Sequence, residues 1–457
     1  MEQSQTNLNH AIETRNFTEL RDILNHFPAF DIARLIGEMP IENRVYTLRV
    51  LPRELAADVF EYLPFELQQD LLKALGQESV GAILNEMAPD DRTILLDELP
   101  GTITSQLLAL LTPKERDIAI QLLGYKEGTI GRLMTPDYVR LRPDWSVKYA
   151  FEHIRRHGQD SETLNLVYVI DDDGKLIDDI RIRRLLLAES DALIADLMDH
   201  TFISLKATED QETAVEAMRR SDLTALPVTD SDGLLIGIVT IDDILDVAQA
   251  EATEDIQKFG GLEALDQPYL EIAFSQMIKK RASWLVILFL GEMLTATAMG
   301  FFQEEIEKAV VLALFVPLII SSGGNSGSQA STLVIRAMAL TEITIHDWWR
   351  VMRREIFSGL ALGAILGVIG FVRIMLWSTF SNIYGEHWFL VALTVGVALI
   401  GIVLWGTLAG SMLPFVLRRF GIDPATSSAP FVATLVDVTG LIIYFAVAMV
   451  ILRGTLL

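Results

Sequence analysis

The sequence predicts a multidomain α and α+β membrane protein: an N-terminal helical superhelix, a duplicated α+β module, an acidic connecting helix and a five-helix transmembrane domain. Three observations predict it. Proline recurs about every twelve residues up to residue 113, residues 130–247 repeat themselves, and five long apolar stretches follow residue 281. The charge divides the same way. Residues 281–457 carry ten acids and ten bases, so the whole net charge of −24 falls in the first 280 residues.

Composition sets the outer limits. With 457 residues and 51% hydrophobic content, the chain is too long and too apolar for one ordinary soluble domain. It has no cysteine, which excludes disulfides, thiolate zinc sites and cysteine nucleophiles. The acidic balance argues against nucleic acid as a partner, because phosphates would be repelled. The polar opening MEQSQTNLNHAIETRNFTEL lacks a signal pattern, so the acidic module is expected to stay in the cytoplasm. Neither a GxGxxG nor a GxxxxGK loop occurs, and nothing suggests an enzyme.

In residues 1–129, Pro40, Pro52, Pro64, Pro89, Pro100 and Pro113 are separated by 12, 12, 25, 11 and 13 residues, and Gly76 divides the long gap. Proline suits a helix's first turn, so each interval can hold one short helix packed on its neighbours. In residues 130–247, Leu133-Met134 recurs as Leu197-Met198 and Arg155-Arg156 as Arg219-Arg220, each 64 apart. Asp173-Gly174 recurs as Asp232-Gly233, 59 apart, so the first copy holds about five extra residues near Gly158–Glu162. Each copy reads as strand, helix, strand, Asp-Gly turn, strand, helix.

The connecting segment, 248–280, continues from Asp242-Asp243 through Asp246, Glu251, Glu254 and Asp255. Asp243, Asp246, Glu251, Glu254 and Asp255 recur near helical spacing and form one acidic face, whose like charges repel unless something positive binds. Hard divalent cations prefer carboxylate oxygens and water; a plain solvated face is the alternative.

The apolar stretches run 283–302, 309–335, 356–377, 388–413 and 431–452, each near the ~20 residues a spanning helix needs. Lys279, Lys280, Arg281, Arg350, Arg353, Arg354, Arg418 and Arg419 fall on one set of loops, and Glu304, Glu305, Glu307 and Glu386 on the other. The positive-inside rule then puts the N-terminal module in the cytoplasm and the C-terminus outside. The second stretch contains Ser321-Ser-Gly-Gly-Asn325-Ser-Gly-Ser-Gln329. Asn325 and Gln329 share a face if the helix continues, so this segment either packs helices or lines a pore. The fifth contains Asp437, a carboxylate that at mid-membrane costs about 2.5–3.5 kcal/mol and should face protein or water. It serves either a buried ion pair, for example with Arg373, or a passing cation. With no ATPase motif such passage would be passive, driven by about 4.6 kcal/mol per 100 mV for a divalent ion.

The repeats resemble a tandem pair of CBS domains, modules that often bind adenine nucleotides. In such domains a Thr and the Asp three residues later reach a ribose. The second copy has Thr240 and Asp243, and the first, Asp179-Ile-Arg-Ile-Arg183, lacks both. At most one nucleotide site, for ATP, is therefore open, and it lies at the second repeat. The whole order of parts resembles the MgtE family of magnesium channels over nearly the full chain. The most specific matches are Gly323–Gln329, Ala250–Ile256, Asp423-Pro-Ala and Val432–Gly440. In that frame residues 1–129 are the N domain, 130–247 the CBS pair, 248–280 the plug helix and 281–457 the pore domain.

The resemblance implies a homodimer in the inner cell membrane, with a pore on its two-fold axis lined by the second and fifth spans. It implies Asp437 at the selectivity site, with Asn325, Gln329 and Ala429 supporting the pore. Intracellular Mg²⁺ would hold the pore closed by binding Asp210, Glu212, Asp222, Asp243, Asp246, Glu251, Glu254 and Asp255, with Asp423 at the cytoplasmic edge. Asp58 and Asp90 are the matches in the helical domain. Two positions depart from the pattern. Ala429 stands where some members carry Asn, and Ile94 where a second acid is expected after Asp90. Co²⁺, Ni²⁺ or Mn²⁺ as the carried ion, and a membrane-anchored nucleotide sensor, are the rival readings.

Overall fold

The computed structural model describes residues 11–456 except 13, 160, 266–268, 271 and 382. It divides into two compact units, Met1–Gln249 and Ala250–Leu457.

The first unit opens with α1 (Phe17–Leu24), α2 (Ala29–Gly37), α3 (Ile41–Val50), α4 (Arg53–Glu61), α5 (Phe65–Ala74), α6 (Gln77–Glu86), α7 (Pro89–Asp97), α8 (Gly101–Leu108) and α9 (Pro113–Leu123). The proline spacing marks their starts. Pro40, Pro52, Pro64, Gly76 and Pro100 cap α3, α4, α5, α6 and α8, while Pro89 and Pro113 are the first residues of α7 and α9. A helix's first N–H groups have no partner inside it, so a residue without one costs nothing there. Packing skips a neighbour: α1 lies on α3, α2 on α4, α3 on α5, α4 on α6 and α7 on α9. That alternation is the superhelix. One buried cation ties its later turns together. Arg92, fully buried, donates to the carbonyls of Leu84 (3.0 Å) and Met87 (3.3 Å) and to Glu115 Oε2 (2.6 Å).

After a short α10 (Ile130–Leu133) come the two repeats. The first runs β1 (Arg140–Leu141), α11 (Val147–His157), β2 (Leu166–Ile170), β3 (Leu176–Arg181) and α12 (Ile182–Leu186). After α13 (Ile194–Leu197) the second runs β4 (Leu205–Lys206), α14 (Gln211–Ser221), β5 (Ala225–Thr229), β6 (Leu235–Thr240) and α15 (Ile241–Phe259). Each sheet has a parallel pair and an antiparallel one, in order β1-β2-β3 and β4-β5-β6. The two Asp-Gly turns interlock: Leu176 N–H donates to Gly233 O (3.1 Å) and Leu235 N–H to Gly174 O (3.2 Å). Both glycines have φ near +84°, where a side chain is strained. The extra residues of the first copy form the 158–165 link, against 222–224 in the second.

The connecting helix differs from its expected bounds of 248–280. It is α15, which leaves β6 directly at Ile241 and ends at Phe259; Gly261, at φ +75°, comes soon after. Residues 274–280 are already the first turns of a spanning helix, α16 (Phe274–Phe301), whose long Lys and Arg stems let the helix continue past its apolar part.

Beyond α16 come short helices α17 (Gln303–Lys308) and α18 (Val310–Ala313), then α19 (Val316–Ala339), α20 (Trp348–Phe380), α21 (Trp388–Arg419) and α22 (Ala429–Ile451). Among the described residues five helical segments are long and apolar enough to cross a membrane, and each contains or largely covers one apolar stretch. Lipid gives no hydrophobic drive for helices to associate, so close backbone approach has to hold them. Along α19 and α21, a Cβ on Gly410 would fall on the carbonyl oxygen of Gly327, and one on Gly406 on that of Gly323. Between α20 and α21 the stripe Gly359, Gly363 and Gly367 does the same: a Cβ on Gly363 would sit 2.8 Å from Ile400 Cα. Gly410→Val is expected to destabilise the full-length protein in detergent by about 3 kcal/mol or more, since the obstacle is backbone. Gly300→Ala, where a Cβ meets nothing within 4 Å, is the control that should melt with wild type.

Candidate functional site

In the membrane unit the Gly/Ser segment stays helical, and its two faces do different things. Gly323, Gly324, Ser326, Gly327, Ala330 and Ser331 are buried against the chain. Ser326 Oγ lies 2.7 Å from Thr407 Oγ1, and Ser331 Oγ donates to Ser427 O at 3.1 Å. On the other face Ser321, Asn325 and Gln329 repeat every four residues, and all three are exposed. This polar stripe runs along the middle of a spanning helix, where lipid cannot satisfy it.

Asp437 sits half-buried on α22 beside the same segment: a Cβ on Gly324 would lie 3.6 Å from its Oδ1. Arg373 is not its counter-ion. Its guanidinium carbon lies 5.8 Å from the Trp377 ring centroid, one turn along α20, and among the described residues no salt bridge reaches Asp437. Ala429 opens α22, and its carbonyl accepts from Ser328 Oγ at 3.1 Å, so the backbone supplies a tie that the alanine side chain cannot.

At the membrane's edge Asp423 caps the 3-10 turn Pro424–Thr426, its Oδ1 accepting from Ala425 N–H at 2.8 Å. Its Oδ2 lies 2.8 Å from Lys258 Nζ, and Lys258 also pairs with Glu254. Asp255 belongs to the same group: burial, and then the charge of Asp423, push its carboxyl up to about 6. Glu251 adds its charge to Asp255 as well.

A second acidic group forms within the first unit, between the helical domain and the second repeat. Asp90 is buried at the start of α7, and its pKa is raised well above the ordinary value by burial and then by the charge of Asp243. Asp243 is pushed up to about 7, by burial first, although Thr240 Oγ1 donates to its Oδ2 at 2.9 Å. Asp58 is raised by burial and Glu54. Asp246 acts on Asp91. The structure therefore brings the sequence-marked Asp58, Asp90, Asp243 and Asp246 near four acids that the sequence did not mark, Asp91, Glu61, Glu162 and Asp242. Asp91 is raised to about 6 by burial and the charges of Asp242 and Asp246. Glu61, one turn after Asp58, is raised to about 7 by burial and Asp91, and accepts from Ala88 N–H at 3.0 Å. Glu162 is raised by burial, Asp242 and Asp91. The five-residue insertion in the first repeat was the available signal for Glu162. Ile94, 43% exposed, contributes no acid, but Glu61 and Asp91 of the helical domain do.

The remaining expected acids lie apart. Asp210 caps α14, accepting from Glu212 N–H at 3.0 Å, and Asp222 ends the same helix in the left-handed conformation. They stand about 18 Å apart at 1.5 Å per residue, so one chain cannot close both on one ion. The sequence reading missed one feature altogether: His153 and His157, a turn apart on α11, stack at 4.3 Å, with Trp145 against His153.

The donors are all hard oxygens, and in the soluble group burial and the charges of neighbouring acids raise the carboxyls of Asp90, Asp91, Glu61, Glu162 and Asp243, a setting that suits a small divalent cation. Among the described residues no three His, Asp or Glu side chains form a ready metal-ligating group. An ion held here would keep part of its water, as Mg²⁺ does where one or two carboxylates bind it.

The chain matches three family models: MgtE intracellular N domain over 27–128, CBS domain over 130–191 and 194–250, and the MgtE divalent cation transporter model over 316–447. It is 37% identical over 456 residues to the magnesium transporter MgtE of Thermus thermophilus, covering 99% of each chain. To the magnesium transporter MgtE of Bacillus subtilis it is 29% identical, covering 94% of this chain and 93% of that one. Two solved structures resemble its soluble part. One is a cytosolic domain of the Mg²⁺ channel MgtE in complex with ATP, with TM-score 0.51, 33% identity, and coverage of 53% of this chain and 99% of that one. The other is the soluble part of a magnesium transporter, with TM-score 0.53, 28% identity, and coverage of 55% and 99%.

Proposed function

The chain belongs to the MgtE family of magnesium transporters, and on that footing we propose that it is a passive Mg²⁺ channel which cytoplasmic Mg²⁺ closes. The observation that carries the channel reading is the uncovered polar face of α19 beside Asp437. Ser321, Asn325, Gln329 and a carboxylate at membrane depth need water or a second copy of the chain. A homodimer that turns these faces toward each other supplies both, and encloses a water-filled path with a carboxylate from each subunit. Oxygen donors without His or Cys favour Mg²⁺ over Co²⁺ or Ni²⁺. Loop charges support cytoplasmic soluble domains and an outside C-terminus.

Closure is a consequence of the two acidic groups. The soluble group is electrostatically unfavourable alone, the membrane-edge group is offset only in part by Lys258, and both gain when a divalent ion neutralises them. To take the population from mostly open to mostly closed, bound ions must together favour closure by about 5.5 kcal/mol, which several weak sites supply cooperatively. Asp210, Glu212 and Asp222 fit this scheme only with acids from another subunit. ATP at the second repeat would use Thr240 and Asp243. Their mutual hydrogen bond must then open, which couples nucleotide binding to the acidic group containing Asp243.

The test is Mg²⁺ uptake into proteoliposomes, with Co²⁺ and Mn²⁺ as comparators, at low and millimolar Mg²⁺ on the soluble-domain face. Gradient-driven uptake that falls steeply at millimolar Mg²⁺ is expected. Uptake that needs an added energy source, or that ignores Mg²⁺ on that face, would sink the proposal.

A further inference from the structure

We propose that Lys258 is a tethered ammonium occupying the membrane-edge acidic group when Mg²⁺ is absent, and that by competing with Mg²⁺ it raises the concentration needed for closure. The inference rests on the reading of Glu254, Asp255 and Asp423 as part of the Mg²⁺ sensor, and adds a cation that the chain itself provides.

Both oxygens of Asp423 are engaged. Oδ1 accepts the Ala425 N–H that starts the 3-10 turn, and Oδ2 lies 2.8 Å from Lys258 Nζ. The first bond is built into a fixed turn: Pro424 locks the backbone, and Ala425, Ser427 and Ser428 are buried behind it. The second ends on a flexible four-carbon stem and is the one that can leave. Direct coordination of Mg²⁺ at Oδ2 must therefore displace the ammonium. Lys258 would remain tethered nearby through its helix, still paired with Glu254 or released to water.

Lys258 also has a holding role. It lies in the last turn of α15, and the chain beyond that helix is tied down separately, Leu265 N–H donating to Gln257 Oε1 at 2.6 Å. The loop it grips leads directly into α22: Ser428 caps that helix, and Trp284 Nε1 donates to Ser428 Oγ at 3.2 Å. The ammonium thus keeps the end of α15 against the entry to α22 without metal. A divalent ion replaces a single positive charge by a double one at the same carboxylates. Competition and docking predict opposite signs, so they can be told apart.

The experiment is hydrogen exchange of residues 250–260 in the full-length protein, as MgCl₂ is titrated, for wild type, Lys258→Met and Lys258→Arg. Lys258→Met is expected to exchange faster without Mg²⁺ and to become protected at a lower concentration, by about threefold to tenfold, as two half-exposed ion pairs no longer compete. Lys258→Arg keeps the charge and should stay within about twofold of wild type. A midpoint for Lys258→Met that is unchanged or higher overturns the competition and leaves Lys258 a structural clamp. If MgCl₂ does not protect this segment in wild type, the sensor reading fails together with the inference.

Discussion

Asp437→Ala is expected to abolish Mg²⁺ uptake in proteoliposomes while leaving the protein at least as stable as wild type. Asp437 has no cationic partner among the described residues of its own unit; Arg373 is stacked on Trp377 instead. A charge held at membrane depth costs about 2.5–3.5 kcal/mol when the helix centre is its setting. Removing it relieves that cost, so the thermal midpoint in detergent should hold or rise as transport is lost. That opposition separates a residue kept for passage from one kept for packing. Asp437→Asn retains the shape and one oxygen but not the charge, and should leave uptake reduced at least about tenfold, since attraction for a hard divalent ion comes mainly from the carboxylate charge. Full uptake by Asp437→Ala would remove Asp437 from the path. A lowered melting point with lost uptake would make it a packing residue.

The second large effect concerns the acidic group in the soluble unit. Asp90, Asp91, Asp243, Glu61 and Glu162 all have pKa values raised in the folded state, chiefly by burial. For a raised carboxyl the folded state holds its proton more tightly than the unfolded chain. Its contribution is fully present below the ordinary pKa near 4 and is lost as pH rises through the folded values, about 6 for Asp91 and about 7 for Asp243 and Glu61. Metal-free protein should therefore melt lower at pH 8 than at pH 5.5, by roughly 5 °C or more, given about 2–4 °C per kcal/mol for a unit of this size. Saturating Mg²⁺ should restore the pH 8 midpoint and flatten the profile. Asp90→Asn combined with Asp243→Asn keeps the bonds from Asp91 N–H and Thr240 Oγ1 and removes two facing charges. The double variant should be more stable than wild type without Mg²⁺ at pH 8 and gain little from added Mg²⁺. An undiminished Mg²⁺ gain would remove this group from the sensor.

Much of this architecture was legible because it rests on local chemistry. Proline cannot sit inside a short helix without breaking it, so its spacing marks the helix starts through Pro113. The Asp-Gly turns need positive φ, so they mark the hairpins of both repeats. The ends of α15 were not legible. Its acids run along most of its length and so mark neither end, and the polar 274–280 segment reads as part of the connecting helix although it is the lower part of a membrane helix. The acidic group was half legible. Asp90 and Asp243 are 153 positions apart, and only tertiary packing brings their helices together. Glu61 and Glu162 carry no pattern of their own. The glycine stripe Gly359-Gly363-Gly367 did carry one, a repeat of four within an apolar run, but it lacks the polar residues that made Gly323–Gln329 stand out.

The close approach of α19 and α21 also limits how a pore could open. Elsewhere in the unit helices touch through side chains such as Leu441 and Phe445, which can change rotamer and re-seat after a shift. Where Gly323 and Gly327 meet Gly406 and Gly410 there is nothing to re-seat, because carbonyl meets α-carbon and a slip of one residue would drive a side chain into backbone. The two helices therefore behave as one stiff beam with a single register. Widening has to come from that beam tilting whole, or from α22 swinging against it about the short loop at Asp423. A hinge of that kind puts the pivot next to the carboxylate that Lys258 holds, so a small force applied at the membrane's edge acts on a lever whose far arm carries Asp437.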